Sequence, residues 1–228
     1  MKKHKENDDT IKTSLSLVRS DLAKSLALAG RKTSDCILVA VSKNRTVDEI
    51  KEAIAAGQRV FGENRVQEAV EKWPDVKSKH SDVKLHLIGP LQNNKARQAV
   101  KLFDVIEVLD SKKLATTLKR VMEEEQVFPK IYIQVNAGEE EQKSGVLPKD
   151  LDAFIKTVCE GIGINIAGLM CIPPQNEEPA MHFLLLNNLA EKYGLKECSM
   201  GMSDDFDVAA RLGATSVRVG TKIFGARG

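Results

Sequence analysis

The most informative part of the sequence reads Ser199-Met-Gly-Met-Ser-Asp-Asp205 and continues, after a helical stretch, with Ser216-Val-Arg-Val-Gly-Thr221. In both segments a short apolar strand runs into a loop of small residues that opens a helix. Backbone N–H groups at a helix start lack partners within the helix and carry partial positive charge, so they suit a phosphate. Ser203 and Thr221 can also act as ordinary helix caps. Two such units in succession favour the phosphate interpretation.

The same alternation of strands and helices extends back through the chain. Eight candidate strands occupy residues 37–42, 59–62, 84–89, 105–109, 130–136, 164–170, 197–200 and 216–220. Parallel strands need helical crossovers, so the alternation predicts a parallel sheet in an α/β fold. Eight units in 228 residues favour a single (β/α)8 TIM-type barrel with an extra N-terminal helix. The loops after the last two strands form the usual phosphate site of that fold.

Local signals mark where the helices begin and end. Starts are predicted at capping residues or prolines: Thr46, Asn64, Ser111, Pro148 and Pro179. Pro74 is predicted to end the helix that follows Asn64, because proline removes a backbone donor and clashes with the preceding turn. We expect residues 1–9 to be disordered and residues 10–228 to form one barrel domain. An amphipathic helix over 10–29 is expected to cover the barrel base.

Composition narrows the class of protein. The 34 basic and 32 acidic residues nearly balance, whereas nucleic-acid binding needs a marked basic excess. No apolar run is long enough to span a membrane, and no G-x-G-x-x-G motif follows the first strand. The four cysteines lie far apart without the spacing of a zinc site. Cysteines in this pattern predict reduced thiols, as is typical of a cytoplasmic protein. Their spacing predicts no metal site.

Several polar residues are predicted to point into the barrel. Side chains alternate across a strand, so in Val217-Arg218-Val219 the valines face the helices and Arg218 faces the interior. The same parity places His86 inward, together with Tyr132, Gln134 and Asn136. A buried, permanently charged arginine requires an anionic or acceptor partner. An inward histidine is compatible either with a hydrogen-bonded core residue or with a functional one.

Lys43 follows the first strand, at the mouth of the predicted barrel. A lysine there is either solvated or, if desolvated near Arg218 and Arg45, has a depressed pKa. The resulting neutral amine can attack an aldehyde to form a Schiff base. Combined with a phosphate site, this indicates a ligand that carries both an aldehyde and a phosphate. Pyridoxal phosphate fits, and so do the sugar phosphates of Schiff-base aldolases.

Ordered motifs along most of the chain resemble those of a known family. They are Ala40-Val-Ser-Lys43, Phe61-Gly-Glu-Asn-Arg-Val-Gln-Glu68, the block from His86 to Lys95, Gln134-Val-Asn136, Lys143-Ser-Gly-Val146, Gly168-Leu-Met170, Ser199–Asp205, Val217–Thr221 and Ile223–Arg227. The chain is thereby identified as similar to the pyridoxal phosphate homeostasis proteins, which are single-domain barrels related to the barrel half of alanine racemase. The resemblance implies a site for pyridoxal 5'-phosphate (PLP) built from Lys43, Asn64, His86, Ser203, Arg218, Gly220 and Thr221.

The resemblance also implies a role for each of these residues. Lys43 would hold PLP as a Schiff base, and Arg218 would sit against the pyridine nitrogen. The phosphate would be bound by Ser203, Gly220 and Thr221. Asn64 and His86 would line the ring pocket.

The expected role is that of a carrier without efficient turnover. An arginine against the pyridine nitrogen keeps that nitrogen unprotonated, which weakens PLP as an electron sink. Alanine racemase uses a tyrosine as its second base, whereas Tyr132 and Tyr193 here are not expected at the site, and its β-rich second domain is expected to be absent. The resemblance implies a monomer that holds, buffers or delivers PLP, with amino acids and apo-enzymes as further partners. An amino-acid racemase and a PLP-free aldolase remain the alternatives.

Overall fold

A computed structural model describes residues 10–226, so the expectation for residues 1–9 lies outside the described residues. Eight parallel strands close into a barrel in sequence order. They are β1 (Ile37–Val41), β2 (Val60–Glu63), β3 (Lys84–Leu87), β4 (Val105–Leu109), β5 (Lys130–Val135), β6 (Ile166–Cys171), β7 (Glu197–Ser199) and β8 (Ser216–Val219). Their ends lie within two residues of the predicted ones. The predicted α/β barrel is therefore confirmed.

Helices surround the barrel and alternate with its strands. They are α1 (Ile11–Leu28), α2 (Val47–Ala55), α3 (Val66–Lys79), α4 (Ala96–Leu102), α5 (Lys112–Glu125), α6 (Leu151–Lys156), α7 (Pro179–Lys192), α8 (Phe206–Arg211) and α9 (Thr221–Phe224). A π-helical turn over Thr157–Ile162 prolongs α6. The main hydrophobic core lies between the strands and this outer ring. Across residues 10–226, no helix has the length and apolar character needed to cross a membrane.

The N-terminal helix α1 was expected to cover the barrel base, and this expectation was wrong. It packs against α2, α8 and α9 on the outside of the barrel. Its buried side chains recur at helical spacing: Leu15, Val18, Leu22 and Leu26. The reason is geometric, because α9 has only four residues and is too short to cover the outer faces of β8 and β1. Helix α1 therefore takes the eighth place in the outer ring.

The capping signals were correct at two helix starts. The Thr46 side chain accepts a hydrogen bond from the Glu49 backbone at 3.2 Å, and the Glu49 carboxylate accepts one from the Thr46 backbone at 2.7 Å. The Ser111 side chain likewise accepts from the Leu114 backbone at 3.4 Å. The prediction for Asn64 was wrong, since Arg65 is the N-cap of α3 and makes no side-chain capping bond. Asn64 is used elsewhere, as described below.

The prediction that Pro74 ends α3 was also wrong. The helix continues through Pro74 to Lys79. Trp73 and Val76, on either side of the proline, are both buried in the core. Their packing outweighs the backbone hydrogen bond that the proline removes.

Inward-facing side chains form layers along the barrel axis. On β1 the inward residues are Ile37 near the N-terminal end, then Val39, then Val41 at the C-terminal end. We call the N-terminal ends of the strands the base and the C-terminal ends the mouth. Val217 and Val219 belong to the core between strands and helices, which confirms that Arg218 points inward.

Candidate functional site

A cavity of about 230 Å³ opens at the mouth of the barrel. We call it the mouth cavity. It is lined by six of the seven residues predicted for the site: Lys43, Asn64, Ser203, Arg218, Gly220 and Thr221. Val41, Ile88, Ile172 and Met202 supply apolar walls, and Asp204 adds a carboxylate. The strand ends thus bring together residues that are far apart in the sequence, as expected for a parallel barrel.

His86 is the one predicted residue that the structure places elsewhere. It faces inward on β3, but it lies two residues nearer the base than Ile88, which lines the mouth cavity. Its Nδ1 is hydrogen-bonded to the Glu107 carboxylate at 2.6 Å inside the barrel. The prediction that His86 points into the barrel was therefore correct, but the prediction that it lies at the mouth was wrong. The expectation that His86 lines the same pocket as Lys43 is corrected.

A buried polar chain runs from the mouth cavity into the barrel. Arg218 donates to Ser199 Oγ at 2.5 Å and to the Cys171 carbonyl oxygen at 2.8 Å. Ser199 in turn donates to Glu107 Oε2 at 2.5 Å. The second oxygen of Glu107 contacts His86. Each of these polar side chains is almost fully buried, and only the two ends of the chain, Arg218 and His86, line cavities.

Glu107 is the anionic partner that Arg218 requires. It is fully buried, and its Oε2 lies 3.8 Å from Nη1 of Arg218. Burial alone would raise the pKa of Glu107, but the hydrogen bond and charge of His86 and the charge of Arg218 hold that pKa below its ordinary value. The carboxylate is therefore ionised and compensates the buried guanidinium. Sequence reasoning missed Glu107, although a lone acid in the apolar strand Val105–Leu109 was a usable signal.

The loops after β7 and β8 are joined at the mouth. The backbone N–H of Gly220 donates to Ser203 Oγ at 3.3 Å. In the described part of the chain, neither Ser203 nor Thr221 caps a helix through its side chain, since Asp205 and Gly220 occupy the N-cap positions of α8 and α9. Both hydroxyls instead line the mouth cavity. The alternative interpretation of these residues as plain helix caps is not supported.

Lys43 extends from a strand end that is held by a second buried network. Neighbouring Ser42 donates to Glu63 Oε1 at 2.7 Å, and Trp73 Nε1 donates to the same oxygen at 3.0 Å. The Lys72 ammonium lies 2.8 Å from it and also donates to the Ser42 carbonyl at 3.0 Å. Burial raises the pKa of Glu63, while Lys72 opposes that rise. This network fixes the backbone from which the partly buried Lys43 side chain enters the mouth cavity.

Two further inward residues, Gln134 on β5 and Asn136 just after it, hold the loop that follows the strand. Gln134 donates to the Ser144 carbonyl at 3.1 Å. The Asn136 side chain donates to the Glu140 carbonyl at 2.8 Å and accepts from the Glu140 backbone at 3.2 Å. These bonds close the loop on itself. The side chains of Gln134 and Asn136 therefore stabilise the conformation of this loop.

Comparison with known proteins gives a consistent picture. A family model described as alanine racemase, N-terminal domain, matches residues 19–228. The pyridoxal phosphate homeostasis protein of Escherichia coli (strain K12) is 37% identical over 222 residues, which cover 93% of this chain and 95% of that protein. The corresponding Pasteurella multocida protein is 36% identical over 96% of this chain and 98% of its own length.

Solved structures of a homologue resemble the chain closely. PipY of Synechococcus elongatus PCC7942 is 39% identical, and the alignment covers 94% of this chain and 100% of PipY. The TM-score is 0.84 for PipY without PLP and 0.80 for PipY with PLP bound.

Proposed function

The chain belongs to the pyridoxal phosphate homeostasis protein family, and we propose that it binds PLP in the mouth cavity and takes part in intracellular vitamin B6 homeostasis. The observation that carries the proposal is the convergence of Lys43, Arg218 and the Ser203/Gly220/Thr221 loops on one cavity. The PLP-bound structure of PipY supports it.

The donor set of the mouth cavity fits this cofactor. Lys43 offers a primary amine for the PLP aldehyde, with loss of water on forming the Schiff base. The hydroxyls of Ser203 and Thr221 offer neutral donors for a phosphate, and Gly220, which has no side chain, lets the phosphate approach the backbone of the loop. Asn64 and the apolar walls are suited to the ring. When bound, PLP would supply an electrophilic aldehyde and a conjugated ring that can accept electrons.

The charge and fixed orientation of Arg218 favour a PLP carrier over an efficient PLP-dependent enzyme. A guanidinium carries only donors and a permanent charge, so Arg218 placed against the pyridine nitrogen of bound PLP would hold that nitrogen unprotonated. Ser199, Cys171 and Glu107 fix its orientation. An unprotonated pyridine is a poor electron sink, which disfavours carbanion chemistry.

Side chains that would act as a second base lie away from the mouth cavity. Tyr132 donates to Glu197 Oε2 at the base, and Tyr193 lies at the end of α7 beside Lys192. Burial raises the pKa of Cys171 to about 12, so its sulfur stays a thiol. His86 is held by Glu107 nearer the base. These positions favour a non-catalytic role over the racemase alternative.

We further propose a cytoplasmic monomer that buffers PLP and passes it to apo-enzymes, with amino acids as additional ligands. The four cysteines are all free thiols, which fits a reducing compartment. Sedimentation velocity at two concentrations tests the monomer, and a dimer at both would contradict it.

The decisive experiment is absorption spectroscopy with reductive trapping. Adding PLP should give a yellow Schiff-base band that borohydride removes, leaving a reduced PLP adduct on Lys43 in peptide mass spectra. Lys43→Ala should lose the adduct, whereas Lys113→Ala, at an exposed position on α5, should retain it. A colourless protein, or an adduct on another lysine, would refute the proposed link.

The same preparation separates the alternatives. A racemase would exchange the α-hydrogen of an amino acid for solvent deuterium, which a carrier without turnover would not do. An aldolase would be trapped on Lys43 by borohydride with a sugar phosphate in the absence of PLP. Either result would replace the carrier proposal.

A further inference from the structure

A second, larger cavity opens at the base of the barrel. Its volume is about 560 Å³, within the range of roughly 300–1,000 Å³ that is typical of small-molecule sites. We call it the base cavity. Its lining residues differ from those of the mouth cavity, so it is a separate space at the opposite end of the barrel.

The floor of the base cavity contains hydrogen-bonding groups without protein partners. Ser216 lies on the inward face of β8, below Arg218, and is 2% exposed. Among the described residues, its Oγ is buried without any hydrogen-bond partner. His86 also lines this cavity, and within residues 10–226 the only hydrogen bond of its side chain is through Nδ1 to Glu107, which leaves Nε2 available. Buried polar groups are normally satisfied, so the unpaired Ser216 Oγ indicates a missing ligand group, and His86 Nε2 offers that group a second contact.

The rim of the base cavity is open to water and combines charged residues with an apolar patch. Phe128 is 60% exposed, Ile37 is 48% exposed and Val127 is 39% exposed. These side chains surround the opening. An aromatic ring seated here would remove apolar surface from water on several sides.

Charges around the base cavity disfavour an anion. Lys84 pairs with Asp104 at 3.2 Å, and Lys130 pairs with Glu197 at 2.5 Å. Asp35 adds a third acid to the lining. Asp104 also pairs with Lys77 at 2.7 Å. Both lysines that line the cavity are therefore already paired, and neither offers an uncompensated charge to a phosphate or carboxylate ligand.

We propose that the base cavity binds an uncharged aromatic molecule that carries a hydroxyl group. The ring would pack against Phe128, Ile37 and Val127, and the hydroxyl would reach the floor. A hydroxyl both donates and accepts, so it can bond to Ser216 Oγ and to His86 Nε2, whether or not that nitrogen is protonated. This site is independent of PLP binding at the mouth.

The test uses phenol as the probe and benzoate as its anionic counterpart, in ¹H–¹⁵N NMR titrations of the full chain with and without PLP. Phenol should give saturable shifts at the amides of Ile37, Phe128 and Ser216, with a dissociation constant of about 1 mM, as expected for so small a ligand. Benzoate should bind at least about fivefold more weakly. Added PLP should leave the phenol shifts at the base in place.

Two variants and a matched control sharpen the test. Phe128→Ala removes an exposed rim contact and Ser216→Ala removes the floor hydroxyl, and each should weaken phenol binding by about fivefold. Leu17→Ala, at an equally exposed apolar residue on α1, should leave it unchanged. Non-saturating shifts, phenol affinity in both cavity variants as tight as in the wild-type chain, benzoate binding as tight as phenol, or displacement of phenol by PLP would each overturn the inference.

Discussion

Replacing Glu107 with glutamine tests whether this carboxylate is the counter-charge of Arg218. The change keeps the shape of the side chain and removes its charge, leaving a buried guanidinium without an anion. At the 3.8 Å separation of Glu107 Oε2 and Arg218 Nη1, a charge pair is worth about 4 kcal/mol at an effective dielectric constant of about 20. Removing one partner of a buried pair typically costs about 3–5 kcal/mol. We expect E107Q to lower the free energy of unfolding by that amount.

Urea unfolding followed by circular dichroism measures this free energy, and the melting temperature should fall by about 10 °C. The pH dependence gives a second readout. The pKa of Glu107 is lowered in the folded protein, so its stabilising contribution is present above the pKa of an unfolded glutamate and is lost as pH falls through the folded value. The stability difference between wild type and E107Q should therefore shrink below about pH 4.

A surface carboxylate provides the control for E107Q. Glu124 on α5 pairs with Arg97 and Arg120 while remaining exposed, and E124Q should change the unfolding free energy by less than about 1 kcal/mol. If E107Q were as stable as E124Q at neutral pH, the assignment of Glu107 as the buried counter-ion would be wrong.

Two further predictions concern packing and thiol reactivity. Gly168→Ala should destabilise the barrel by more than about 2 kcal/mol in urea unfolding, since its Cβ would lie 2.2 Å from the Glu197 carbonyl oxygen; an unchanged midpoint would show that β6 and β7 can separate. Iodoacetamide at pH 8 should alkylate Cys159 first, because burial raises the pKa of the other three thiols to about 12: Cys36, Cys171 and Cys198. Peptide mass spectrometry identifies the modified residue, and early labelling of a buried thiol would contradict the assigned burial.

Sequence patterns predicted the barrel well because its signals are local. Alternation along Val217-Arg218-Val219 identified the inward arginine, and the capping box at Thr46 marked a helix start. These features depend on neighbouring residues, so the sequence contains them directly.

The features that sequence analysis missed depend on contacts between residues that are far apart in the chain. The pairing of His86 with Val105 sets the height of the histidine and places Glu107 beyond it, and strand register cannot be read from alternation. The continuation of α3 past Pro74 depends on the buried positions of Trp73 and Val76. Both errors arose where tertiary packing overrides local preference.

The position of α1 in the outer ring has a consequence for biosynthesis. Besides α2, the surface that receives α1 is built from α8 and α9, which lie beyond β1 to β7 in the chain. During translation the part of the apolar stripe that packs on α8 and α9 therefore has no docking partner until those strands are made. The docking of α1 on α8 and α9 is a contact of long sequence separation that is expected to form late and to slow folding.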